Sequence, residues 1–363
     1  MKDSIKVDFL IGSMEAGGAQ RVISNIANYL AEKGYKIRII SLWGPDHYEL
    51  NQSITRVRLH KRRIFNTILL NGFLNLLFFY RKKQNRPNIV SSHIDLYGLI
   101  TIPVCKIFNI KIIVSEHNNH LAYNNRAQSI CWNYFYPYAD LVTILTEFDK
   151  EFFLKKNKNT IVLPNPCSFE TILTTKTKNT ELKQIVAIGN LDRYKHKGFD
   201  NLIEIVKPVL EGSEGWILKI VGDGTFGMDY LKQKVKRLQL SEKVIFTGYQ
   251  KNIQGILSNS DIFILSSRFE GLPMVLLEAM SQGVPCISYD CISGPSDIIT
   301  HNKDGILVEN QNIEAMQDEL YKLTSNTQLR RKLAKNAPKA LEKFSISKVG
   351  KQWEEILHTF NNQ

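Results

Sequence analysis

Two carboxylates, Glu270 and Glu278, stand eight positions apart in an otherwise apolar stretch, SSRFEGLPMVLLEAMSQG at 266–283. Just upstream, DIFILSS (261–267) is the short, near-continuous apolar run of a strand covered on both faces. Pro273 is a favoured helix start and Gly283 a favoured stop, so the spacing predicts strand, tight loop, helix. Such a helix start offers unpaired N–H groups and the positive end of a dipole to an anion. Glu278, in the second turn, leans back toward that end, and a carboxylate can accept two hydrogen bonds from a ribose diol. Glu270, in the loop, would meet the remainder of a nucleotide-sugar. The plainer alternative is one capping carboxylate and one exposed one.

A second constellation is GNLDRYKHKGFDNL (189–202), again between a strand and a helix. Arg193 and Lys197 read as a phosphate clamp, a fork and a point charge, or as a solvated basic loop. His196 between them reads as a surface histidine. In IVGDGT (220–225) Asp223 is expected to cap the next helix. GSMEAGGAQR (12–21) follows the first strand, and Gly17 and Gly18 would let the backbone approach a ligand closely. It lacks G-x-G-x-x-G, and SLW, without an acid, ends the next strand, which disfavours a nicotinamide cofactor. NIVSSHID (88–95) and IVSEHNNH (113–120) put His93, Glu116 and His117 at strand ends, where a ligand cleft or plain structure would each use them. No Asp-x-Asp pair follows a strand, and no His/Cys/Asp/Glu cluster has metal spacing. A pyrophosphate leaving group would therefore be neutralised by arginine, lysine and a helix dipole.

The elements that must position these residues alternate throughout. Strand-like runs IKVDFLIG, YKIRIISLW, NIVSS, IKIIVSE, LVTIL and TIVLP interleave with helical patterns near 18–33, 64–83 and 96–107. After a polar stretch at 168–183 the pattern restarts with QIVAIG, WILKIVG, KVIFTG, DIFILSS, VPCISY and GILVE. Each half reads as a parallel sheet with helices on both faces, and the 363 residues suit two domains. We expect domains at 1–165 and 166–343 facing a central cleft, with an amphipathic segment at 344–360 that packs back on the first. Five cysteines without a C-x-x-C pair read as reduced core residues. No signal peptide precedes the first strand, and a cytoplasmic protein is expected. The net charge of +12 is uneven: residues 1–175 hold 22 Lys/Arg against 13 Asp/Glu, which suggests an anionic partner for that half.

HKRRIFNTILLNGFLNLLFFYRKKQNRP (60–87) has basic clusters at both ends of an apolar helix. Its interior is too short and too polar to span a bilayer. It fits either an interfacial helix on anionic lipid or a core helix with solvated ends.

Together these residues resemble the retaining, metal-independent glycosyltransferases of the GT-B fold that carry a Glu-x7-Glu motif and build bacterial capsules and lipid-linked oligosaccharides. GGAQR is similar to that family's first-loop motif, VLPNPC (162–167) to its linker, GNLDRYKHKGFDNLI to its basic loop, and EGLPMVLLE to its paired-acid motif. The resemblance implies two Rossmann-like domains, an acceptor-binding N-terminal one and a nucleotide-sugar-binding C-terminal one. It implies that Arg193 and Lys197 hold the diphosphate, Glu278 the ribose and Glu270 the donor sugar, with Leu272, Met274 and Val275 lining the same site. Gly17 and Gly18 would approach the donor, and His93 would hydrogen-bond the sugar. Where many members read His-x-His, Ser91 takes the first place. The implied reaction moves a hexose or N-acetylhexosamine from a nucleotide-sugar, with UDP favoured, to a glycan acceptor that is expected to be lipid-linked. Configuration would be retained by same-face attack, the leaving phosphate accepting the acceptor's proton, with no cofactor beyond the co-substrate. Peripheral contact with the inner face of the plasma membrane follows if the acceptor is lipid-linked. A UDP-sugar epimerase of the same fold and sugar transfer to nucleic acid are the alternatives, although no basic-aromatic recognition module is present.

Overall fold

The computed structural model describes residues 5–59, 67–122, 125–172 and 182–361. The chain divides into two compact units, Met1–Ser168 with Phe344–Gln363, and Phe169–Lys343. In the first unit, β1 (Lys6–Ile11), β2 (Lys36–Ser41), β3 (Thr55–Arg58), β4 (Ile89–His93), β5 (Lys111–Ser115), β6 (Leu141–Ile144) and β7 (Thr160–Val162) form one parallel sheet. Its order is β3-β2-β1-β4-β5-β6-β7, so the winding reverses between β1 and β4. In the second, β8 (Lys183–Ile188), β9 (Trp216–Val221), β10 (Val244–Gly248), β11 (Ile262–Leu265), β12 (Cys286–Asp290) and β13 (Ile306–Glu309) take the order β10-β9-β8-β11-β12-β13. There the reversal falls between β8 and β11. Ligands of doubly wound sheets bind beyond the strand C-termini at that point.

The strands form where the sequence is continuously apolar: every residue of β4 and of β11 is buried. The helices form where apolar residues recur at helical spacing. Phe199–Gly212 buries Phe199, Leu202, Ile203, Val206, Val209 and Leu210 against the second sheet, and Gly18–Glu32 buries Val22, Ile23, Ile26, Ala27 and Leu30. The helix Ile346–Asn361 belongs to the first unit. Tyr29 OH donates to Glu354 Oε1 at 2.8 Å, and a Cβ on Gly350 would lie 2.4 Å from the Tyr29 ring. Close backbone approach at Gly350 is what lets the two helices meet.

The apolar helix runs Ile68–Arg81, and the cluster Lys61, Arg62 and Arg63 lies outside the described residues. One face is core: Gly72, Leu76 and Tyr80 are buried, and Tyr80 OH donates to Asp8 Oδ2 at 2.6 Å. The other face leaves Ile68, Leu70 and Phe78 exposed. Among the described residues no helix is long and apolar enough to cross a membrane. All five cysteines are buried, and none forms a disulfide. The sequence pattern did not reveal β3 (TRVR), whose arginines fork around Asp46 at 2.5 Å each. Nor did it reveal the helices Ile313–Ser325 and Thr327–Ala340.

Candidate active site

In the second unit the loops after β8 and β11 meet at the reversal point. The basic loop turns through a 3-10 segment, Leu191–Arg193, and a single helical turn, Tyr194–Lys197, to Gly198. Gly198 has φ +67°, and a Cβ there would lie 1.8 Å from the Ser266 carbonyl oxygen. Only glycine admits that contact. Ser266 Oγ then donates to the Lys197 carbonyl at 3.0 Å, and Arg268 N–H to the His196 carbonyl at 2.9 Å. The Arg268 guanidinium forks onto Asp200 at 2.8 and 3.0 Å. The two loops are thus one hydrogen-bonded body.

On that body Lys197 Nζ donates to Glu270 Oε1 at 2.8 Å, and Ser267 Oγ donates to the same oxygen at 2.6 Å. Burial alone would raise the Glu270 carboxyl; the Lys197 ammonium and Ser267 hydroxyl outweigh it and hold it below the usual carboxylate range. Arg193 is exposed, with Nη2 3.2 Å from His196 Nε2. His196 is half-buried beside the Phe269 ring, and burial, then Arg193, lowers it to about 4. It is thus less open than the surface histidine its neighbours suggested, and lies against Arg193.

Beyond Glu270 the chain enters the helix Met274–Ser281 with no side-chain cap. Pro273 takes the position before the first turn, and the Met274 and Val275 N–H groups have no acceptor within the helix. Leu272 is buried, and Glu278, in the helix, is 3% exposed. Gly294 braces this entry: at φ +100° its Cβ would lie 2.6 Å from both the Gly271 oxygen and Pro273 Cδ. Ser293 Oγ donates to the Gly271 oxygen at 3.0 Å. Asp223 does not cap the next helix. Its carboxylate takes the adjacent Gly224 N–H, while Asp192 of the basic loop accepts the Thr225 and Gly227 N–H groups at 2.9 Å each. The cap crosses from a loop distant in sequence, which local spacing cannot reveal.

In the first unit Gly17 and Gly18 open the helix Gly18–Glu32 beside Tyr48, whose hydroxyl bonds the Gly17 N–H at 3.0 Å and its carbonyl at 2.9 Å. His93 ends β4 with both ring nitrogens engaged, Nε2 3.0 Å from Ser91 Oγ and Nδ1 2.8 Å from His117 Nε2. Phe9 and Trp353 pack against its ring. Burial, then His117, holds His93 well below the usual histidine range, and burial holds His117 at about 4. His117 Nδ1 is buried with no hydrogen-bond partner. Within this pair the unspent nitrogen belongs to His117. Glu116 instead accepts from Trp132 Nε1 at 3.1 Å and from Tyr136 OH, the role of a structural carboxylate. Among the described residues no three His, Cys, Asp or Glu side chains assemble a metal site.

Residues 16–170 match the family model Glycosyltransferase Family 4, and residues 168–340 match Glycosyl transferases group 1. The two halves are glycosyltransferase domains. The chain is 26% identical to a Campylobacter jejuni GalNAc-alpha-(1->4)-GalNAc-alpha-(1->3)-diNAcBac-PP-undecaprenol alpha-1,4-N-acetyl-D-galactosaminyltransferase, over 99% of each chain. It is 28% identical to the amylovoran biosynthesis glycosyltransferase AmsD of Erwinia amylovora, over 96% of this chain and 97% of that one. Among solved structures, sucrose-phosphate synthase of Thermosynechococcus elongatus superposes with a TM-score of 0.81 at 17% identity, covering 98% of each chain. Anabaena HepE in complex with UDP-glucose superposes at 0.79 and 17%, over 98% of this chain and 100% of that one. The fold of this glycosyltransferase is GT-B.

Proposed function

We propose that this glycosyltransferase moves a hexose or N-acetylhexosamine from a UDP-sugar to a glycan, with retention of configuration and without a metal ion. The carrying observation is the meeting of a basic loop and an acidic loop, joined by Lys197 and Glu270 at 2.8 Å, beside an uncapped helix start. Arg193, Lys197 and the Met274 and Val275 N–H groups are donors suited to charge developing on a departing diphosphate. Glu278 takes the ribose hydroxyls, Leu272 lines the entry, and Glu270 takes the donor sugar. Because Lys197 is already paired with Glu270, the arriving diphosphate competes for it and frees Glu270 toward the sugar. The UDP-glucose complex of HepE supports the choice of nucleotide.

The first unit takes the acceptor, while Gly17 and Gly18 keep their approach to the donor and His93 its hydrogen bond to the sugar. A lipid-linked acceptor is supported by the undecaprenol-linked substrate in the Campylobacter relative's name and by the exposed apolar face of Ile68–Arg81, with Arg81, Lys82 and Lys83 at its end. Incubation with UDP-, GDP- and ADP-sugars in the presence of EDTA tests the reading. UDP release from a UDP-sugar is expected. Release only from another nucleotide, or only after Mg²⁺ or Mn²⁺ is restored, contradicts it.

A further inference from the structure

Lys6, Lys36 and Thr55 are the first residues of β1, β2 and β3, and they line a groove of about 450 Å³. The groove lies wholly in the first unit, at the end of its sheet opposite to the strand C-termini. Small-molecule sites range over roughly 300–1,000 Å³. β1 and β2 pair in parallel with Lys6 beside Lys36 and Asp8 beside Arg38, and residues two apart on a strand share a face. Two lysines therefore stand side by side, with an acid and an arginine next in the row. The acid cannot neutralise the lysines. Asp8 is 2% exposed and already accepts from Arg38 Nε at 2.9 Å, Arg38 Nη2 at 2.5 Å and Tyr80 OH at 2.6 Å. A third cation, Arg86, comes from the turn before β4. Its Nε donates to the Tyr80 carbonyl at 2.8 Å, and its guanidinium lies 4.5 Å over the Phe108 ring. Among the described residues neither lysine ammonium forms an ion pair or hydrogen bond, and nor do the Arg86 Nη groups. Other lysines of this unit sit by carboxylates, Lys106 3.0 Å from Asp140 and Lys155 2.7 Å from Glu151. Three cations around one groove repel one another, and an anion bound among them removes that repulsion.

We propose that this groove is a second anion site, which takes the phosphate group of a phosphate ester. Two ammonium point charges and one planar fork are a donor set that suits phosphate, whose oxygens accept from several directions. The groove is larger than one phosphate fills, and Thr55 and Gln84 border the space left for the esterified group. Arg81, Lys82 and Lys83, exposed in the stretch that leads to Gln84, strengthen the positive field at the same end of the sheet. The site is separate from the loops of the second unit that take the donor diphosphate. Its ligand is either the headgroup of an anionic lipid or a soluble phosphate, and the phosphate chemistry is common to both.

Inorganic phosphate titrated into the full chain at constant ionic strength, with UDP saturating, tests the site when backbone amide shifts are followed residue by residue. Saturable shifts are expected at Lys6, Lys36, Gln84 and Arg86. Lys6→Gln and Lys36→Gln change exposed side chains at strand starts. Each should weaken phosphate binding about tenfold, as the loss of one charge-assisted contact does, with UDP affinity unchanged. The same titration with soluble dioctanoyl phosphatidylglycerol separates the two sources. Tighter binding of the lipid than of inorganic phosphate assigns the groove to a headgroup, and the reverse order assigns it to a soluble phosphate; either result sustains the site. Shifts at these four residues that fail to saturate with both probes, or that persist unchanged in the Lys6→Gln, Lys36→Gln double variant, overturn it.

Discussion

At the residue scale the account turns on pairs whose members lie far apart in sequence. Lys197 and Glu270 are 73 positions apart and 2.8 Å apart in space. Lys197→Ala leaves a buried carboxylate without its ammonium, so the unfolding free energy from urea titration should fall by on the order of 3 kcal/mol. The same variant and Arg193→Ala should each lower kcat/KM by about 10²-fold or more. Stability unchanged in Lys197→Ala would mean that the pair is not formed in solution. The His93–His117 pair gives a pH signature. His117 protonates near 6.5 when unfolded and about 4 when folded, so the unfolded chain binds the extra proton between those values. Stability is therefore full above that window and declines as pH falls through it, by up to about 3 kcal/mol for His117. Urea denaturation as a function of pH measures the slope, and the double variant His93→Gln, His117→Gln should flatten it. The individual residue types, two acids, two cations and a histidine, were legible in the sequence. Their pairings were not, because Lys197 with Glu270, Asp192 with the Thr225 N–H, and His93 with His117 meet through contacts that only tertiary structure creates.

At the scale of elements, what was legible is what local physics fixes. Continuous apolar runs gave the buried strands, and helical spacing gave the helix near 18–33. The four-residue β3 carries two arginines in an edge strand, so neither alternation nor hydrophobicity marked it. Asp223 seemed the cap for the next helix because spacing sees only neighbours, whereas Asp192 accepts the Thr225 and Gly227 N–H groups from 33 and 35 positions away. Gly198 is the hinge of the site, and Gly198→Ala should cost several kcal/mol and lose UDP binding, since the added methyl meets backbone and not a movable side chain. A variant with wild-type Tm would show that the two loops are not locked together. The helix Ile68–Arg81 reconciles the two readings of its sequence, core on one face and open apolar on the other. It should bring the protein down with anionic vesicles at low salt, less with neutral vesicles, each basic residue near the surface adding about 1 kcal/mol. Replacing Arg81, Lys82 and Lys83 by Gln should weaken sedimentation while UDP binding persists. Equal sedimentation with both vesicle types would leave the helix no such role.

For the whole molecule, the central claim is that the second unit holds UDP without a metal, at the point where its sheet reverses. Calorimetric titration of UDP into the protein in EDTA tests it most directly. Wild type should bind. Arg193→Ala, Lys197→Ala and Glu278→Gln should each weaken binding about tenfold or more. Glu270→Ala should bind no more weakly than wild type, because it releases Lys197 to the diphosphate. No heat of binding until Mg²⁺ is added, or affinity lost equally in Glu270→Ala and Glu278→Gln, would contradict the account.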